Sequence, residues 1–173
     1  LDLMLLYNDT GAIDFGCKFN PEFVEIHSVC LNDVYLLNAL RANVCEDTAI
    51  VLGVGGSTLY EIEHALNILK HTKIILMFGF QNYPTKYEDV NLRKIRKIQS
   101  LYTEKKFGYA DHTAWDEDNN ELITLLVSAN GMDFIEKHVT TEYGKERCDY
   151  SAAISIEQFN MLYKKIKLLE KLY

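Results

Sequence analysis

Two stretches of this chain run through apolar residues and stop at an imidazole: FGYADHTAW around His112 and DFIEKHVTT around His138. Side chains two apart on an extended strand share a face. Gly108, Ala110 and His112 therefore point one way on the first stretch, and Phe134, Glu136 and His138 do so on the second. If both faces look into one interior, the two imidazoles meet at its mouth from adjacent strands. Two imidazoles completed by carboxylate or water oxygens make a ligand set for a divalent ion. The simpler expectation is that each histidine caps its strand by hydrogen bonding to a loop. Strand spacing alone leaves both open.

Groups like these need rigid elements to hold them, and the chain supplies strands and helices in alternation. LDLMLLYN leads to a short helical piece near residues 11–19, and FVEIHSV to NDVYLLNALRAN. AIVLGVG precedes TLYEIEHALNILK, and KIILMFGF precedes DVNLRKIRKIQSLY. KFGYADH precedes NNELITLLVSAN, and DFIEKHV precedes SIEQFNMLYKKIKLLEKL. Leu59, Ile62, Ala65, Leu66 and Leu69 recur at three- and four-residue spacing, which predicts one buried helix face. Strand–helix alternation predicts parallel strands joined by helical crossovers.

The six βα units suit either a doubly wound open sheet or part of a barrel. Polar residues follow many of the strands: Ser28, Gly55-Gly56, Asn82-Tyr83, Asp111-His112 and Lys137-His138. A barrel gathers functional groups at that face from many strands, whereas an open sheet gathers them at one switch point. GVGGST follows the third strand and lacks GxGxxG spacing. The expectation is an α/β fold, a partial (β/α)8 TIM barrel, with residues 1–173 forming one incomplete domain.

Composition sets the remaining bounds. The chain has 173 residues, 48% of them hydrophobic, enough to bury a core. A formal charge of −7 argues against a nucleic-acid surface, which needs a basic patch. Cys17, Cys30, Cys45 and Cys148 are scattered without a CxxC pair, the usage of a reducing cytoplasm. No apolar run reaches the length of a membrane span, and no signal peptide opens the chain, whose first residue is leucine. Several conspicuous residues have plain structural roles to fill. His27 is expected to bond to a loop, His64 and His71 to lie on or after a helix, and Lys164, Lys165, Lys167 and Lys171 to be solvated. Trp115 is expected to pack against the next helix, and Glu25 to stand apart from the two histidines.

Four blocks, QNYPTKYEDVNLRKI, GYADHT, FIEKHVT and CDYSAAISIEQF, resemble in order and spacing the N-acetylneuraminate (sialic acid) synthase family. The resemblance runs from about Leu3 to Leu172. It implies a metal-dependent (β/α)8-barrel transferase that condenses phosphoenolpyruvate with an N-acetylated amino sugar of the N-acetylmannosamine type and releases phosphate. His112 and His138 match the metal ligands, with manganese or magnesium as the ion. Asn82 matches a phosphate contact, and Tyr83 and Asp149 match amino-sugar contacts. Ser28 falls in a further substrate-binding block, and Glu136 is placed to carry a proton.

The sequence also departs from that family. A block resembling Lys-Ile-Ala-Ser-Gly reads Glu25-Ile26-His27-Ser28-Val29, so a lysine beside the donor becomes an acid. Gly53 and Ala110 stand where serines are expected. Metal and sugar positions survive while anion-binding positions are lost. Two other readings follow: a non-catalytic homologue that binds sugar or metal, or a metal-dependent aldolase-type enzyme with another donor. By the same resemblance, two barrel strands are expected before this stretch and a small antifreeze-like domain after it. That domain lends an arginine to the neighbouring subunit, implying a homodimer for the full-length protein. A six-strand segment with open edges is expected to self-associate.

Overall fold

The computed structural model describes residues 2–172. Six strands, β1 (Met4–Tyr7), β2 (Phe23–Ile26), β3 (Ala49–Gly53), β4 (Ile74–Gly79), β5 (Lys106–Asp111) and β6 (Phe134–Lys137), form one sheet in chain order. There is no reversal of strand order, hence no switch point of the doubly wound kind. By contacts the chain divides into two compact units. One comprises the residues up to Met77 with Ile98–Lys106; the other comprises Phe78–Lys97 with Phe107 onwards.

In the first unit β1, β2, β3 and β4 pair in parallel, with Tyr7 beside Ile26, Ile26 beside Leu52, and Leu52 beside Leu76. Val24, Ile26, Ile50, Leu52 and Leu76 are fully buried on one face, and Val51, Ile75 and Met77 are buried on the other, so β3 and β4 are covered on both faces. Each crossover helix starts on a side chain that accepts an otherwise orphaned backbone N–H. Asp9 accepts from Ala12 at the start of α1 (Thr10–Gly16) at 2.7 Å, and Asp33 accepts from Leu36 at the start of α2 (Val34–Asn43) at 3.0 Å. In α3 (Leu59–Leu69) Thr58 and Glu61 cap one another reciprocally. The buried stripe of α3 is Ile62, Ala65 and Leu69; Leu66 is half-buried, and Leu59, expected in the stripe, is the first residue of the helix and is 40% exposed. On the edge strand β1, Met4 and Leu6 are exposed, as is Leu3 just before it.

In the second unit β5 and β6 pair in parallel, Gly108 beside Phe134, Ala110 beside Glu136, and Asp111 beside Lys137. Helix α4 (Leu92–Leu101) precedes β5, and α5 (Leu122–Ala129) joins β5 to β6. The six expected strands are all present, and two short ones join them. β7 (Val139–Thr140) and β8 (Ile154–Ser155) form a separate parallel pair, Val139 beside Ile154. Ser155 then caps α6 (Ile156–Leu169) reciprocally with Gln158. The turn after β4 is unusual, because Gly79 (φ +93°) and Phe80 (φ +53°) both have positive φ. Phe80 carries the backbone strain of a left-handed non-glycine residue, about 1–2 kcal/mol.

Candidate metal centre

β5 and β6 end at the same level because they are paired in register, and each is followed by a histidine. The Nε2 atoms of His112 and His138 lie 3.0 Å apart, and Glu136 Oε1 is 3.9 Å from His112 Nε2. The three side chains bring their ligand atoms within 4.8 Å of one another. His112 Nδ1 is 3.1 Å from the carbonyl oxygen of Ala110. A carbonyl can only accept, so the Nδ1 carries the hydrogen and Nε2 presents its lone pair. A lone pair aimed at another ring nitrogen 3.0 Å away repels it unless positive charge lies between: a proton on His138, or a cation.

The spacing fits an ion. With metal–nitrogen bonds of about 2.1 Å, two ligands at right angles sit about 3.0 Å apart. The environment favours a ligand over an acid. Burial, helped by the neighbouring His138, pushes the His112 imidazole down to about 4. It is therefore neutral at pH 7, as a metal ligand must be. The carboxyl of Glu136 is pushed upward by burial, partly offset by His138, which suits a group that takes and returns a proton.

Aromatic rings enclose His112. Phe80 meets it edge-on at 5.0 Å between centroids and Tyr83 at 5.8 Å. The positive-φ turn at Gly79 and Phe80 precedes both rings. Burial raises the Tyr83 phenol, the Asp149 carboxylate adds to the rise, and a hydrogen bond from the Ala152 backbone opposes it. Tyr83 and Asp149, expected to contact sugar, thus stand within electrostatic reach of each other. His138 and Asp149 also line a cavity of about 350 Å³ with Thr140, Arg147 and Tyr150. Arg147 pairs with Glu142 at 3.1 Å, and its other nitrogen closely contacts the Thr140 hydroxyl.

The remaining expected residues fall differently. Asn82 donates its amide nitrogen to Asp89, leaving its buried side-chain oxygen without a partner. Ser28 and Glu25 belong to the first unit. Ser28 begins a 3-10 turn (Ser28–Cys30) capped by His27, whose Nδ1 accepts from Val29 N–H at 3.3 Å. His64 stacks on Tyr60 and is exposed, and His71 bonds to the Cys45 carbonyl and the Lys73 N–H. Trp115 packs edge-on against Tyr143 at 4.9 Å, in the loop after β7, rather than on the following helix; Tyr143 also donates to the Trp115 carbonyl. Gly53 cannot regain a side chain cheaply, because a Cβ there would stand 2.6 Å from Ser28 N.

Sequence reasoning missed Phe80, Arg147 and a buried ion pair behind the histidines. Lys137 Nζ lies 3.1 Å from Asp111 Oδ2, with both side chains 1% exposed. Burial works to raise the Asp111 carboxyl, but Lys137 and hydrogen bonds from Thr124 and Thr113 outweigh it and hold the carboxyl below its ordinary value. The signal was present, since each member immediately precedes one of the histidines.

Parallel βα units in sequential order, with functional groups beyond the strand ends, define an α/β fold of the partial (β/α)8-barrel type. The sequence pattern of the NeuB family matches residues 7–173, and the chain belongs to that family. It is 34% identical over 167 residues to an uncharacterised protein of Methanocaldococcus jannaschii, covering 95% of this chain and 47% of that one. It is 31% identical over 168 residues to the N,N'-diacetyllegionaminic acid synthase of Campylobacter jejuni, covering 94% of this chain and 48% of the relative. The chain thus spans about half the length of these curated relatives. Among solved structures it matches N-acetylneuraminic acid (sialic acid) synthetase from Leptospira borgpetersenii with a TM-score of 0.84 and 26% identity, over 96% of this chain and 56% of that one. Among the described residues no helix is long and apolar enough to cross a membrane.

Proposed function

We propose that this chain carries the metal centre of a sugar-acid synthase, joining a phosphoenolpyruvate-type donor to the aldehyde carbon of an N-acetylated amino sugar, with water attacking the former enol carbon as phosphate leaves. The observation that carries the reading is the pair of Nε2 atoms 3.0 Å apart, with the His112 lone pair directed at its partner by the Ala110 carbonyl. Its family and the named synthases among its relatives support the reaction class.

His112 and His138 would hold manganese or magnesium, which as a Lewis acid polarises the aldehyde oxygen. Glu136, its carboxyl raised by burial, carries a proton to or from the oxygen that changes charge. Tyr83 and Asp149 orient the sugar through hydroxyl and carboxylate contacts, and Phe80 with Tyr83 keeps water from His112. A second reading, an aldolase-type condensation with a less highly charged donor, draws support from Gly53. The position has closed against Ser28 and leaves no room for an anion-binding hydroxyl.

Titration calorimetry with manganese tests the centre, and phosphate release from phosphoenolpyruvate with N-acetylmannosamine by the full-length protein tests the reaction. His112→Ala and His138→Ala are each expected to lower manganese affinity at least about tenfold. Unchanged affinity in both variants refutes the centre. Metal binding without phosphate release leaves the other-donor reading.

A further inference from the structure

We propose that the buried Asp111–Lys137 pair is a register clamp, positioning residues that set the spacing of the two histidine nitrogens. The inference rests on the metal reading above. Asp111 and Lys137 are direct partners across β5 and β6, one residue before His112 and His138 respectively. Their side chains leave the strands on the face opposite the imidazoles, since successive residues alternate. In that dry setting every lone-pair direction of Asp111 is engaged. Oδ1 accepts from the Thr113 N–H at 2.9 Å and its hydroxyl at 2.7 Å, while Oδ2 accepts from the Thr124 hydroxyl and meets Lys137 at 3.1 Å. Thr124 lies on α5 and is fully buried, so the crossover helix is tied into the same node.

The contact between the two charges by itself adds little stability, because two desolvated charges recover little net energy. What a buried ion pair supplies is intolerance of the wrong pairing. A one-residue slip of β6 against β5 moves His138 by about 3.3 Å and turns it to the other face. That slip would leave both charges buried and unpaired. The clamp therefore excludes the register in which the two nitrogens cannot share an ion, and it does so without touching the ion.

The test compares the wild-type protein with the double variant Asp111→Leu/Lys137→Met, measuring thermal midpoint without metal, manganese affinity by calorimetry, and the paramagnetic resonance of bound manganese. The expected result is manganese affinity lowered at least about tenfold and a changed spectrum, with a lower thermal midpoint because the buried Thr113 and Thr124 donors lose their acceptor. A purely structural pair would leave affinity and spectrum unmoved, and that result overturns the clamp. Should the double variant not fold, Thr124→Val and Thr124→Ser decide. The valine variant is expected to lose about three- to tenfold in affinity and the serine variant to keep it. Equal affinities in the two overturn the proposal. A wild-type protein that binds no manganese sinks the metal reading and the clamp together, whereas failure of the clamp alone leaves wild-type binding intact.

Discussion

Gly79 is where the end of β4 presses on the strand that carries His112. A Cβ at Gly79 would stand 2.0 Å from the Ala110 carbonyl oxygen and 2.8 Å from its carbon. Both are backbone atoms, so no side chain can rotate away. Relief requires β4 and β5 to part by about 1 Å or more. Gly79→Ala also places a methyl group at φ +93°, where an L-residue is strained by about 1–2 kcal/mol. Overpacking adds about 1–3 kcal/mol, for a total of about 2–5 kcal/mol. In a chain of this length that lowers the thermal midpoint by roughly 5–15 °C. The functional effect follows the same atom. The Ala110 oxygen accepts from His112 Nδ1 at 3.1 Å, and moving it frees the imidazole to turn. Manganese affinity should fall about tenfold, the usual cost of losing a group that orients a ligand. Gly131→Ala serves as control, since Gly131 also has positive φ (+80°) but open space around it, and should show the strain without the clash. Differential scanning calorimetry and manganese titration read both effects. If Gly79→Ala melts within about 2 °C of wild type and binds manganese equally well, the close approach is not what holds the strand end in place.

Two further outcomes are expected in the first unit. Gly53→Ser, which would restore a hydroxyl on paper, should destabilise by about 1–3 kcal/mol because its Cβ meets Ser28 N at 2.6 Å and Ser28 Cα at 3.0 Å. It should not improve phosphoenolpyruvate binding, and a thermal midpoint at or above wild type would contradict the packing. Burial holds the His27 imidazole below its ordinary value, so folding favours its neutral form. That contribution is complete above a pH of about 6.5 and is lost as pH falls through that value toward the folded-state one, because the unfolded chain then takes up the proton. His27→Asn, which keeps an acceptor for Val29 N–H, should therefore lose less thermal stability between about pH 7 and 5 than wild type does. Parallel melting curves against pH for the two proteins would rule His27 out.

The strands and helices were legible because burial imposes a period. Six apolar runs became six strands, and the histidines ending the last two proved to face each other as alternation required. Where local pattern carries no period, the reading stopped. β7 and β8 are two residues each, too short to show alternation, and their pairing depends on the segment 141–153 returning to Ile154. Phe80 reaches His112 through a left-handed turn that nothing in its residue type announces. Leu59 fits the helical period yet is exposed at the first residue of the helix, because the period marks a stripe and not where along it burial begins. Asp111 and Lys137 stood out only as polar residues following their strands, and it is their shared register that places them together in the interior. The meeting of the two histidines was readable; the parts that aim them were not.

The small β7–β8 ladder has a consequence for how this protein can change. Val139 follows His138 directly, and Ile154 donates its N–H back to the His138 carbonyl at 3.0 Å. The segment 141–153 therefore leaves and re-enters the scaffold at adjacent points, and between them it is tied to Trp115, which packs on Tyr143 and donates its N–H to the Ser151 carbonyl at 3.0 Å. Tyr143, Arg147 and Asp149 all ride on that segment. Its contents can be rewritten by mutation, lengthened or exchanged between relatives while the histidines stay anchored on the other side of the junction. Under the reaction proposed above, selectivity for the acceptor would drift on one side of this short junction while the histidine pair stays fixed on the other.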